Sequence, residues 1–336
     1  MNTETKEIPV KGALIYQPQG AAGEYAKWAI NLYNGCSNGC TYCYNRRGVL
    51  SYTFEGEPTP KAILINKTGG IVDKLILAHV KDENPEKGDL PKDLFQKVLE
   101  NVIFDLINKD MEKIGQSRLI EDGGVFMSFT CDPLATEENV QHSTFVATVS
   151  LLRESIPVTL LTKNVEWLED ENWKKCLECY PRYYADDNYL ASLTIGFTIT
   201  GKDKLEPNAP STEKRIEALR KLHDEYKIKT FVSLEPITSL AAASEVIKNT
   251  YQITDEIRIG AQSPIKKDRY DAMEFIGFVL AIKSLADTLD CRFMVKDSMY
   301  KQAETFEDAY RYMCIEALDE IREIYAVKSK EENHEK

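Results

Sequence analysis

The chain has 336 residues, 43% of them hydrophobic, and a formal net charge of −12. Length and apolar content suit one large α/β domain or two ordinary ones with a sizeable core. The acid excess weighs against a broad duplex-binding surface, and no apolar run approaches the ~20 residues that cross a bilayer. The first residues, MNTETKEIPVKG, hold no apolar signal region, so the eight cysteines point to a reducing, cytoplasmic setting and to metal ligation or free thiols, not to a disulfide framework.

Residues 1–27 carry Pro9, Gly12, Pro18, Gly20 and Gly23 and read as an irregular lead-in. WAINLY, residues 28–33, reads as a first strand that ends at Asn34–Gly35. Asn66 to Gly70 marks a turn, residues 71–80 a short helix, and 92–113 a long amphipathic helix with apolar residues from Leu94 to Ile107 at helical spacing. Strands and helices then alternate. Strands are expected at 124–129, 157–162, 191–198, 229–234, 256–259 and 291–296. Helices are expected at 137–153, 165–175, 212–226, 240–248, 269–286 and 304–325, the last decaying into a charged tail. Near-continuous apolar strands in repeated βα order belong in a parallel sheet covered by helices. Periodicity alone leaves a curled sheet and a flat doubly wound one both open. The main domain runs over 28–300 with an insertion near 50–90, and 301–336 forms a C-terminal helix and tail.

The run from Asn34 to Gly48, NGCSNGCTYCYNRRG, concentrates the chemistry. Cys36, Cys40 and Cys43 stand at C-x3-C-x2-C spacing, which can hold three irons of a 4Fe-4S cluster. No fourth cysteine stands nearby, so one iron would lack a protein ligand and be open to a substrate or cofactor, as catalytic metal sites are. A loop suits three thiolates that must turn inward, and Gly35 and Gly39 allow close approach or positive φ. The competing reading is a closed zinc site, with Cys131, Cys176, Cys179 or a histidine as fourth ligand. Such a protein would be a zinc-stabilised binding module.

Cys36, Cys40, Cys43 and the following Tyr44 resemble the signature of radical S-adenosylmethionine enzymes. Further segments, SFTCDPLATEE at 128–138, TLLTKN at 159–164, TIGFT at 194–198 and VSLEPI at 232–237, resemble the spore photoproduct lyase-related branch. The resemblance implies a (β/α)6 partial TIM-type barrel with parallel strands, the cluster in the loop after its first strand, and S-adenosyl-L-methionine chelated by the open iron. It also implies a reductant such as flavodoxin or ferredoxin. By the same resemblance Asp132, Lys163 and Thr194 bind or orient the cofactor. Tyr42 or Tyr44 passes a hydrogen atom to a cysteinyl radical at Cys131, and the substrate is nucleic-acid or nucleotide-related. A peptide, a partner protein or a metabolite is the other expectation for the substrate.

In a parallel barrel, residues just after strands collect at the C-terminal rim. Asp132, Lys163, Asn164, Glu235 and Lys296 hold such positions, where a lysine can neutralise a carboxylate and a carboxylate can accept from a diol or an ammonium. Glu235 is accordingly a cofactor-binding candidate, and a loop salt bridge is the plain alternative for each of the five. By the same resemblance, the hydrogen-donating cysteine of the spore photoproduct lyases matches Phe129, and this chain has Cys131 two positions later. Residues 129 and 131 share a face if the strand continues that far. Cys176 and Cys179 form a lone C-x2-C pair that reads as unpaired structural thiols, while Cys291 and Cys314 read as core. His142 and His223 read as packed or surface residues, and the runs at Arg46–Arg47, Lys174–Lys175 and Lys266–Lys267 as solvated surface.

Overall fold

The computed structural model describes residues 13–46, 51, 57–81, 94–179 and 193–334. In chain order the elements are β1 (Ile15–Tyr16), β2 (Trp28–Ile30), β3 (Tyr33–Asn34), β4 (Thr59–Pro60), α1 (Ala62–Lys81), α2 (Leu94–Ile114), α3 (Gln116–Glu121), β5 (Val125–Met127), α4 (Glu138–Arg153) and β6 (Val158–Thr162). There follow α5 (Glu171–Cys179), β7 (Leu193–Thr198), α6 (Thr212–Arg220), β8 (Lys229–Ile237), α7 (Leu240–Thr250), β9 (Glu256–Ala261), α8 (Ala272–Thr288), β10 (Arg292–Val295), α9 (Asp297–Ala303) and α10 (Asp308–His334).

Eight strands form one sheet in the order β1-β2-β5-β6-β7-β8-β9-β10. From β2 onward every pair is parallel. The fold is thus mixed α/β, as the alternation of apolar runs and amphipathic segments anticipates. The strand order never reverses, so successive right-handed crossovers place the helices on one side of the sheet. Strand side chains alternate between faces. Trp28, Ile30, Val125, Met127, Val158, Leu160, Ile195, Phe197, Val232 and Ile257 point to the helical side and join the main core with Val102, Ile103 and Ile107 of α2 and Phe275 and Val279 of α8. On the opposite, inner face, Ala29, Phe126 and Phe231 form a separate small cluster with Tyr16, Tyr25, Phe129 and Leu161 packed on it.

Several expectations are corrected. The lead-in is not irregular throughout: β1 pairs antiparallel with β2, and Asp110 of α2 accepts the amides of Leu14 at 2.6 Å and Ile15 at 3.1 Å. Asn66 to Gly70 is helical, because Leu64 and Thr68 are buried on one face of α1 and their packing outweighs a glycine cost of about 1 kcal/mol per residue. The expected helix at 165–175 is a 3-10 turn at Glu166–Glu169 followed by α5, separated where the Asp170 carboxylate accepts from the amides of Asn172 and Trp173. The C-terminal segment divides into α9 and α10, and α10 continues through the expected charged tail. Residues 92–93 of the second expected helix, 191–192 of the strand expected at 191–198, Arg47, and the insertion other than 51 and 57–81 lie outside the described residues. No described helix is long and apolar enough to cross a membrane.

Close packing on the inner face yields a test. A Cβ added at Gly196 would stand 2.3 Å from the Phe231 ring, whereas one at exposed Gly277 in α8 meets nothing within 4 Å. Gly196→Ala should therefore destabilise by about 1–3 kcal/mol. Gly277→Ala should stabilise by about 0.5–1 kcal/mol. Urea denaturation of the two variants checks both signs.

Candidate active site

The cysteine loop leaves β3 through Gly35, at φ +89°, and turns again at Gly39, at φ +63°. Both angles lie in the left-handed region that favours glycine. A side chain at Gly39 would also press on Asn208 Nδ2 at 3.2 Å. Cys40 is buried, Cys36 and Cys43 are half-buried, and all three are free thiols.

The loop is tied to its neighbours on two sides. Towards the loop after β7, the Thr41 amide donates to Leu205 O at 2.8 Å and Asn208 Nδ2 donates to Ser37 O at 2.8 Å. The Tyr42 hydroxyl donates to the buried carboxylate of Glu206. Glu206 is itself held by Arg215 of α6, whose Nη2 donates to it at 2.5 Å and whose Nη1 donates to Thr198 O at 2.6 Å. Both side chains of this ion pair are fully buried. Towards the loop after β5, the Tyr44 hydroxyl and Asn45 Nδ2 donate to Phe129 O.

Asp132 closes the second side. Its carboxylate accepts from Asn38 Nδ2 at 2.9 Å, the Lys163 amide at 2.8 Å, Thr162 Oγ1 at 2.6 Å and the Leu134 amide at 3.0 Å. These four bonds join the cysteine loop to the loops after β5 and β6 and take up the carboxylate's acceptor positions. Asn164 is similarly occupied: its side chain donates to Leu134 O and accepts from the amides of Val165 and Glu166.

The Lys163 ammonium lies over the Tyr42 ring, 5.8 Å from its centroid. Burial pulls it down, but Cys40, Glu206 and Asp132 outweigh burial and hold it above its ordinary value. Burial, and then Asp132, pushes the Cys36 thiol up to about 12, with Lys163 opposing. Cys40 is also raised by burial and eased by Lys163. The thiols must lose their protons to become ligands, and Lys163 is the cation placed to favour that. Among the described residues, no group of three or more His, Cys, Asp or Glu side chains is found converged on one metal position. The donor set of three soft thiols on one loop fits an iron–sulfur cluster, whose ligands are spread over separate irons.

Cys131 lies on the other side of the backbone from Phe129. Strand β5 ends at Met127, so the condition for a shared face fails. Phe129 joins the inner aromatic cluster, while Cys131 sits in the main core among Ile30, Leu32, Tyr33, Met127 and Val140. Burial, and then Cys36 and Asp132, raises its thiol, whose Sγ lies 3.2 Å from Asp132 O. Thr194 is on the inner face but at the second position of β7, level with Thr159, away from the loop ends. Cys176 is buried and Cys179 exposed, both within α5, and Cys291 and Cys314 are buried as expected.

Glu235 and Lys296 meet on the inner face. Glu235 Oε2 accepts from the Tyr25 hydroxyl at 2.5 Å and lies 3.8 Å from Lys296 Nζ. The Tyr25 ring stands 5.3 Å from that of Phe126 and 5.9 Å from that of Phe129.

No family model matches the chain. It is similar to an uncharacterized protein of Methanocaldococcus jannaschii, 26% identical over 245 residues that make up 70% of each chain. Among solved structures it is similar to SuiB of Streptococcus suis, in one structure bound to S-adenosylmethionine and in another to the precursor peptide SuiA. Those matches have 12% identity and a TM-score of 0.38, and cover 69% of this chain and 62% of SuiB. At that TM-score the likeness does not establish a common fold.

Glu206, Arg215, Asn38 and Tyr25 are site residues that sequence reasoning missed. Arg215 reads as one more basic residue on a surface helix, and only tertiary packing brings it to Glu206. Breaking that pair strands a buried carboxylate, so Arg215→Met should cost about 3–5 kcal/mol. Arg215→Met combined with Glu206→Gln should recover part of the loss, as measured by a denaturation cycle.

Proposed function

We propose that the chain is a radical S-adenosylmethionine enzyme. The observation that carries this reading is three free thiols on one glycine-turned loop, held at the rim of a singly wound parallel sheet with the Lys163 cation over the ring of Tyr42 in that loop. Cys36, Cys40 and Cys43 would hold a 4Fe-4S cluster. With S-adenosyl-L-methionine bound at its open iron, that cluster supplies one-electron cleavage to a 5′-deoxyadenosyl radical.

The chain's own residues have separable roles in this reading. Lys163 presents a positive charge to the cofactor carboxylate. Asp132, its acceptor positions filled from within the protein, orients the loops. Tyr42 is a positioning residue anchored by Glu206. The inner face, away from the helices, receives the substrate and shields it from water.

A partial barrel of the (β/α)6 type is supported by Tyr25. Strands β5 and β10 are five steps apart, about 24 Å in a flat sheet. The Tyr25 ring nevertheless reaches Phe126 of β5 and lies 3.3 Å from Lys296 Nζ just after β10. A sheet curled around Tyr25 accounts for both contacts.

Anaerobic reconstitution followed by iron, sulfide and zinc analysis tests the cofactor. The expected result is about four irons and four sulfides per chain, lost when Cys36, Cys40 and Cys43 are all changed to alanine, with release of 5′-deoxyadenosine under reduction. Stoichiometric zinc without labile sulfide would favour the zinc-stabilised binding module instead.

Cys131 is proposed to return a hydrogen atom to a substrate radical, a role that requires its thiol, on the core side in this structure, to reach the substrate past the loop end at Asp132. A Cys131→Ala variant with a full cluster should then cleave S-adenosylmethionine normally and misdirect the substrate product. An unchanged product distribution would assign the thiol to packing.

The substrate is proposed as nucleic-acid or nucleotide-related and the reaction as a lyase reaction. Support for this comes from the segments resembling the spore photoproduct lyase-related branch. Binding to ultraviolet-damaged DNA should weaken as salt rises, with a slope set by the phosphates contacted. Absent or salt-insensitive binding would leave a peptide or metabolite as the substrate.

A further inference from the structure

The inner face between the aromatic cluster and β10 holds charges that the reading above does not use. Lys296 is 1% exposed, and its Nζ has no hydrogen-bond partner among the described residues. It lies 3.8 Å from each of the carboxylates of Glu24 and Glu235 and over the Tyr25 ring, 3.3 Å from its centroid. Arg258 of β9 spends Nε on Glu256 at 2.5 Å, while its buried Nη1 also lacks a partner. Its guanidinium lies 4.0 Å from the Phe231 ring centroid and 5.5 Å from that of Tyr25. An ammonium and a guanidinium N–H buried without a hydrogen bond are costly, and buried charges normally complete their bonds.

What stands between them is the lead-in. Glu24 and Tyr25 follow one another at the end of the 3-10 turn. Tyr25 lays its ring on Phe126 and Phe129, whose own rings stack at 4.6 Å. Glu24 accepts from the Asp297 amide at 3.0 Å and faces Lys296. Three cations, Lys296, Arg258 and Arg292, meet three carboxylates here, Glu24, Glu235 and Glu256. Removing Glu24 takes away one of the two carboxylates that face Lys296, and removing Tyr25 exposes an aromatic platform beside it.

We propose that this inner face binds a ligand carrying a flat ring and an anionic group, carboxylate or phosphate, and that Glu24 and Tyr25 occupy the site in this structure. The ring stacks on Phe126 and Phe129, and the anion takes the free N–H donors of Lys296 and Arg258. This site does not depend on what the cysteine loop holds.

Isothermal titration of the full chain with benzoate and with phenyl phosphate tests it, and the tighter of the two identifies the anion. Glu24→Gln should tighten binding about tenfold and Lys296→Gln should weaken it at least as much, the scale of one charge-assisted hydrogen bond. If Lys296→Gln loses its fold by circular dichroism, the part-exposed Glu24 variant decides alone. The variant with Cys36, Cys40 and Cys43 changed to alanine is titrated alongside. Retained anion binding there separates failure of the enzyme reading from failure of this one. Affinity that ignores Glu24→Gln, binding that survives Lys296→Gln, or no binding of either probe overturns the proposal.

Discussion

Two buried carboxylates, Asp132 and Glu206, hold the cysteine loop to the sheet. A loop with two left-handed glycines has little conformational preference of its own. Asp132 fixes one side of it through Asn38 while also binding the Lys163 amide and Thr162, so one acid sets the relative position of three loops. Glu206 fixes the other side through Tyr42, and its buried carboxylate is paired with Arg215. Loss of either carboxylate would untie one side of the cysteine loop.

The division of the sheet into two faces follows from the strand order. Because the order runs one way, the helices cover one side and take nearly all the large aliphatic side chains. The other side is left with a small aromatic cluster and the polar groups Ser233, Glu235, Arg258, Lys163 and Lys296. Stability and chemistry are thereby placed on opposite sides of the same strands. Cys131, in the main core, and Phe129, in the inner cluster, are two residues apart and belong to different sides.

Much of this was legible in the residues. Apolar strands followed by turn residues located β5 to β10, and the position just after a strand identified Lys163, Glu235 and Lys296 as rim groups. The cysteine spacing marked the loop without any structure. Other features depend on partners distant in sequence. Glu206 lies in an irregular loop and Arg215 on a helix, and nothing in either segment predicts that they are buried together. Asp132 read as an acid that orients its loop near the cofactor, but its bonds to Asn38, Thr162 and Lys163 could not be read from its own segment. Gly69 and Gly70 signalled a turn that the packing of Leu64 and Thr68 overrides. The lead-in, rich in glycine and proline, gave no sign that Tyr25 would fill the inner face.

The central claim is that the anchored loop presents a cluster with one iron left open for S-adenosylmethionine. Electron paramagnetic resonance of the reconstituted, reduced protein tests it most directly. The account predicts a reduced-cluster signal that changes when S-adenosylmethionine is added, and that changes less in a Lys163→Met variant at the same cofactor concentration. A signal indifferent to S-adenosylmethionine, or no cluster signal in a protein that keeps its fold, would contradict it.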